Sequence, residues 1–124
     1  EEVMSMPCGT GKVDKVGPIF FEYGSDELDP YVKAKLDNLA DLLKSCDNSK
    51  LVLEGHTDDV GSMDDNLILS VMRAYNVKYY LVYKHGISQK RITSQGLGET
   101  APVADNTTQT GREKNRRVDF QIMF

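Results

Sequence analysis

The chain has 124 residues, with 15 Lys and Arg against 19 Asp and Glu, a formal charge of -4, and 40% hydrophobic and 27% charged residues. Those proportions describe one folded domain, long enough to bury a core without a metal or a disulfide. They argue against several domains, and a mild acidic excess with scattered bases argues against nucleic acid as a partner, because a phosphate backbone requires a concentrated basic surface.

No apolar run approaches the roughly 18 residues of a bilayer crossing, and Glu1-Glu2-Val3-Met4 has neither a charged leader nor a hydrophobic signal core. The chain opens without an initiator Met. The expectation is therefore a processed or cut piece, with any export signal or membrane anchor in a missing N-terminal part.

Residues 1–17 hold three Gly, one Pro and no sustained period, and are expected to form an arm or linker ahead of a domain at 18–124. Ile19-Phe20-Phe21-Glu22-Tyr23, closed by Gly24-Ser25-Asp26, predicts a first strand and turn. Asp29-Pro30 supplies an N-cap and a first-turn proline for a helix over about 30–45, whose Val32, Leu36, Leu39 and Leu43 share one face. Lys50 to Glu54 predicts a second strand. After a loop with Gly55 and Gly61, a second helix is expected over about 65–84, ended at His85-Gly86. A third strand is expected at Arg91 to Gly96. Gly98 to Lys114 shows no period and reads as a long loop, and the alternation of Val118, Phe120, Ile122 and Phe124 predicts a last strand. The order β-α-β-α-β-β implies a two-layer α/β (α+β) sandwich with a mixed sheet and both helices on one face.

The densest polar cluster, Gly55 to Asn66, lies between the second strand and the second helix, where open α/β sheets hold small polar groups. Asp64 and Asp65 read as helix-capping acids in a solvated loop. Asp58 has a second reading. In the following helix Asn66, Ser70, Arg73 and Val77 share a strip about 60° wide, beside a core stripe expected from Leu67, Val71, Ala74 and Leu81. An Arg at the flank of a core face has a partner, and a structural ion pair between Arg73 and Asp58 is the plain account.

His56 with Asp58 and nearby acids suggests an acid/base dyad or a metal pair, but no nucleophile or metalloprotease signature accompanies them and the DxDxDG calcium spacing is missing. A partly buried imidazole bonded to backbone is the expected role of His56. Gly111 to Arg117 carries four positive charges at the entrance to the last strand, where edge charge also serves to deter pairing with other chains. Arg116 and Arg117 point to opposite faces, so only one can turn toward the cluster. Cys8 and Cys46 match no zinc spacing and are either two unpaired thiols or a bridge.

Gly55-His56-Thr57-Asp58, Asn66, Leu69-Ser70, Arg73-Ala74, Val77, Gly98-Glu99, Pro102, Gly111-Arg112 and Asn115-Arg116-Arg117-Val118, in that order and spacing, resemble the OmpA-like C-terminal domain family. The resemblance runs from about Pro18 to Phe124. It implies a noncatalytic periplasmic module, with no cofactor or metal, that binds peptidoglycan at the diaminopimelate of the stem peptide. Such a module moors an outer-membrane protein or lipoprotein to the wall, its only membrane tie being the missing N-terminal part, with a homodimer as one possible state. Asp58 matches the family acid for the ligand ammonium and Arg73 the family base for its carboxylate. Thr57 and Asn66 match lining positions, and Arg116 the family Arg nearest the pocket. The first turn departs from the pattern, since Gly24 supplies no side chain, leaving Tyr23 to pack at the rim. Export also favours pairing of Cys8 with Cys46. The rivals are a metal-assisted peptidoglycan hydrolase using His56 and Asp58, and a stator-like or oligomeric envelope scaffold.

Overall fold

A computed structural model of the protein describes residues 13–124. Strand β1 (Val13–Phe20) leads to helix α1 (Pro30–Ser45), strand β2 (Lys50–Gly55), helix α2 (Met63–His85), strand β3 (Ile92–Gly96), helix α3 (Gln109–Asn115) and strand β4 (Arg117–Met123). The sheet order is β1-β4-β2-β3, with β4 antiparallel to both neighbours and β2 parallel to β3. This is the expected mixed sheet with one helix added. Leu36, Leu39 and Leu43 of α1, Ala74, Val77 and Leu81 of α2, and Leu51, Leu53, Val118, Phe120 and Ile122 of the sheet form one core.

Helix α1 follows its local signals: the Asp29 carboxylate accepts the Val32 N–H at 2.8 Å and Pro30 takes the first helical position. It ends at Cys46, buried at the C-cap, while Cys8 lies outside the described residues. Helix α2 starts on a Ser62 cap and stops at Gly86, whose φ of 73° lies in the left-handed region open to glycine. No described helix is long and apolar enough to cross a membrane.

Three expectations change. Strand β1 begins at Val13 rather than Ile19 and takes in residues 13–17; its register slips between Val16 and Ile19, across Gly17-Pro18, where an edge strand tolerates proline. The stretch expected as a loop contains α3, seven residues without an apolar stripe, so periodicity had nothing to register. The third concerns which stripe of α2 faces inward. Ala74 and Leu81 are buried as expected, but Leu67 and Val71 are 48% and 44% exposed, and the mostly polar strip Asn66, Ser70, Arg73 and Val77 is buried instead.

The cause is a close approach of backbones. A Cβ on Gly55 would lie 1.9 Å from the Ser70 carbonyl oxygen, and one on Gly96 would lie 2.4 Å from the Ser70 hydroxyl. The two glycines let α2 settle onto β2 and β3 along Ser70, whose hydroxyl accepts the Gly98 N–H at 2.8 Å. That rotation turns Arg73 from the flank into the interior.

Candidate functional site

The C-terminal end of β2 delivers Gly55-His56-Thr57-Asp58 to the N-terminal half of α2, and the end of α3 delivers Arg116 beside them. Asp58 is 3% exposed. One of its carboxylate oxygens accepts the Val60 N–H at 3.1 Å and the other lies 3.4 Å from an Arg116 guanidinium nitrogen. The expected ion pair with Arg73 is thus replaced by one with Arg116, because the Arg73 fork is aimed at backbone.

Arg73 is fully buried. Its Nε donates to the Ser25 carbonyl at 2.8 Å, Nη1 to the His56 carbonyl at 2.9 Å and Nη2 to the Glu22 carbonyl at 3.1 Å. The guanidinium also stands 5.1 Å over the Phe21 ring. Burial lowers its pKa to about 10, with Asp58 pulling the other way and Arg116 adding to the depression, so the group stays cationic at neutral pH. Three of the five N–H donors of a guanidinium are committed to the scaffold, which leaves two for another acceptor.

Asn66 ties the loop together. Its amide donates to the carbonyls of Asp58 and Val60 at 3.3 and 3.1 Å and to the Glu99 carboxylate at 2.8 Å. Thr57 is buried, its N–H held by the Gly98 carbonyl at 2.9 Å and its hydroxyl by the Asp58 carbonyl at 2.7 Å, so it shapes the loop and has no backbone donor to spare. Arg116 also donates from Nε to the Phe21 carbonyl at 3.0 Å. Tyr23 is 63% exposed at the rim, next to Gly24 at φ 67°.

Tyr23, Thr57, Asp58, Asn66, Arg73 and Arg116 line one cavity of about 200 Å³, together with Gly24, Val60, Gly61, Asp65 and Leu69. All six site residues expected from the sequence meet there. An anion and two cations face the same space, and the anion is in contact with only one of the cations, at a distance long for a charge-assisted bond.

Arg117 turns the other way, as strand alternation requires, and holds Asp119 at 3.0 Å and the Ala101 carbonyl at 3.1 Å. The His56 ring is not bonded to backbone as expected; its Nε2 lies 3.3 Å from Asp119 on the opposite side of the sheet from Arg73, without hydrogen-bond geometry. What His56 gives the site is its carbonyl. Among the described residues no three His, Cys, Asp or Glu side chains gather to hold a metal.

Glu99 and Asn115 are the supports that residue-by-residue reading left without a role. Asn115 is fully buried and uses its whole amide, accepting from Val103 and Ala104 N–H at 2.8 and 3.0 Å and donating to the Ala104 carbonyl and Asn106 side chain at 2.9 and 2.7 Å. Gly111 lets α3 press on Asp105, whose carbonyl oxygen a Cβ would meet at 1.8 Å. The available signal was an Asn one turn after a Gly ahead of the two arginines.

Comparison with known proteins places this geometry. The chain is 38% identical over 104 residues to outer membrane protein A of Bordetella avium, spanning 84% of this chain and 53% of that protein. It is 40% identical over 106 residues to the peptidoglycan-binding protein ArfA of Mycobacterium bovis, covering 86% of this chain and 32% of that one. It therefore spans between about a third and about half of these relatives. Among solved structures, the peptidoglycan-associated lipoprotein of Burkholderia pseudomallei superposes with a TM-score of 0.81 at 28% identity, over 85% of this chain and 88% of that one. The cell wall anchor of the type VI secretion system of Pseudomonas aeruginosa gives 0.73 at 28% identity, over 86% and 78%. Residues 20–116 match the OmpA family itself, from the end of β1 to the arginine at the cavity, and the chain belongs to that family.

Proposed function

We propose that this domain binds peptidoglycan noncovalently by gripping the diaminopimelate side chain of a stem peptide at its two charged tips. The observation that carries the reading is that Asp58 and Arg73 share one small cavity without being bonded to each other. A ligand ending in both an ammonium and a carboxylate needs an anion and a cation held apart by the receptor. Asp58 takes the ammonium, displacing its long contact with Arg116. The uncommitted N–H groups of Arg73, with Arg116, take the carboxylate. A cavity of about 200 Å³ is of the size of one such side chain.

ArfA is named a peptidoglycan-binding protein and the Pseudomonas structure a cell wall anchor, which supports the same ligand here. The domain performs no chemistry on it. In this reading it works in the periplasm and moors an outer-membrane protein or lipoprotein to the wall. Two to three charge-assisted bonds, less the ordering of a flexible peptide, give a dissociation constant of about micromolar to millimolar, sufficient where the wall presents many copies.

Stem peptides that differ only in the third residue test this directly. Lysine keeps the ammonium and lacks the carboxylate, so its peptide should bind about ten-fold or more weaker than the diaminopimelate peptide by calorimetry. Equal affinities would remove Arg73 from the site. Purified sacculi should cosediment the protein and release no soluble fragments; release would indicate a hydrolase.

An oxidising periplasm also supports a bridge between Cys8 and the buried Cys46. The intact mass should rise by about two hydrogens on reduction, whereas two alkylatable thiols in the untreated protein would reject the bridge.

A further inference from the structure

Helix α2 carries large apolar side chains on the side turned away from the sheet. Its inward face is the core strip already described. Its outward face, where a surface helix normally carries Lys and Glu, presents Ile68, Met72, Tyr75 and Tyr79 at 62%, 39%, 48% and 51% exposure, flanked by Val71 and Tyr83. At 100° per residue the four central residues fall within a strip about 60° wide, diametrically opposite Val77. The tyrosines form an ordered ridge, with ring centroids 6.1 Å apart between Tyr75 and Tyr79 and 4.5 Å between Tyr79 and Tyr83. A face of this kind on a folded domain marks a surface that is covered in use.

We infer that the occupant is a second copy of this chain, paired through an antiparallel α2–α2 contact about a two-fold axis. Three features favour self-pairing. The stripe spacing of four, three and four residues reads the same in both directions, so an antiparallel partner sets Ile68 against Tyr79 and Met72 against Tyr75 at each end of the axis. Thioether against aromatic ring is itself a favourable contact. The helix is acidic in its first turn, at Asp64 and Asp65, and basic in its last, at Lys84 and His85, so an antiparallel copy brings unlike ends together while a parallel copy opposes like ends. Finally, six half-exposed apolar side chains supply on the order of 500–600 Å² per protomer, which puts the pair at the lower edge of specific interfaces. The dimer is therefore weak, with a dissociation constant on the order of 10–1,000 μM. Since this face lies across α2 from Arg73 and Asn66, it is independent of the wall-binding reading. Two copies joined here present two cavities to the polymer, which raises effective affinity without a new ligand contact.

Sedimentation velocity over a concentration series on the full chain tests the pairing. Ile68→Lys and Tyr79→Glu should each weaken self-association at least about ten-fold while leaving the circular dichroism and stem-peptide affinity unchanged. Mixing the two variants should recover association to within a few-fold of the parent, because antiparallel pairing sets Lys at 68 against Glu at 79 and leaves the native Tyr79–Ile68 contact at the other end. A chain that stays monomeric at about millimolar concentration overturns the proposal. So does association unaffected by the single variants, or a mixture that gains nothing, which excludes the antiparallel register. Binding of the monomer to anionic lipid vesicles through the same residues would assign the face to a membrane instead.

Discussion

Two arginines fasten the two ends of β2, and they do different work. Arg91, just before β3, donates to the carbonyls of Leu43, Cys46 and Ser49 at 2.6, 2.9 and 3.0 Å and to the Ser49 hydroxyl at 2.8 Å, closing the C-terminus of α1 onto the start of β2. Arg73, at the other end, gathers the carbonyls of Glu22, Ser25 and His56 from two separate loops. Both use the rigid fork of a guanidinium as a staple for backbone, which a lysine cannot imitate. The difference is what lies beside the fork. Arg91 meets a helix end whose orphan carbonyls take up its donors. Arg73 shares a cavity with Asp58 and keeps two donors uncommitted, so the residue that orders the site also holds part of its charge. An arginine that staples backbone carbonyls is thus not in itself evidence of a ligand; an uncollapsed opposite charge across a void is what supports one.

The comparison breaks most visibly with lysine substitutions. Arg73→Lys should lower stability by about 2–4 kcal/mol, because at least two buried carbonyls lose their donors, and should weaken the diaminopimelate peptide at least about ten-fold. Urea titration and calorimetry on the same sample read the two effects. Arg91→Lys should lower stability by about 1–3 kcal/mol and leave the peptide affinity of the folded protein unchanged. If both variants lose affinity in proportion to stability, Arg73 is only a second staple.

Asp58→Asn sharpens the comparison from the other side. The amide oxygen still accepts the Val60 N–H, so the loop keeps its turn, while Arg116 and the buried Arg73 lose their counter-charge and stability should fall by about 1–3 kcal/mol. Peptide affinity should fall about ten-fold, since a neutral group attracts an ammonium far less. Calorimetry that finds no change would put the ammonium elsewhere.

Much of this arrangement was legible because it is local. Asp29-Pro30 announced α1, Gly86 ended α2, and alternation fixed β4 and the parting of Arg116 and Arg117 to opposite sides, while the family resemblance picked Arg116 for the cavity. What escaped depends on contacts between distant segments. The inward rotation of α2 rests on Gly55 and Gly96 meeting Ser70, a fit of backbones that hydrophobic periodicity weighs the wrong way, since it favours Leu67 and Val71 over Ser70. For the same reason Arg73 was expected to pair with Asp58. At the flank of the core it needs a carboxylate, whereas inside it finds carbonyls. Helix α3 escaped because Thr108, Gly111 and Asn115 hold it by hydrogen bonds and close packing rather than by an apolar face.

The smallest expected effect concerns the far side of β2, where His56 and Arg117 meet Asp119. Burial raises the Asp119 carboxyl, but the His56 ring 3.3 Å away and the Arg117 guanidinium bonded to it outweigh that, so its pKa in the folded protein lies below the usual carboxylate value of 3.8. A carboxyl depressed in this way contributes stability that is full above about pH 5 and is lost as the pH falls through its folded pKa. Asp119→Asn should therefore reduce stability near pH 6 and make progressively less difference below about pH 4, where the parent carboxyl is itself becoming neutral. With a side chain 40% exposed the loss should stay below about 1 kcal/mol. Urea titrations of parent and variant at pH 3 and pH 6 read it. Because the His56 carbonyl, not its ring, holds Arg73, the variant should bind the peptide as the parent does; a loss of affinity would mean that the imidazole on one side of the strand steers the guanidinium on the other.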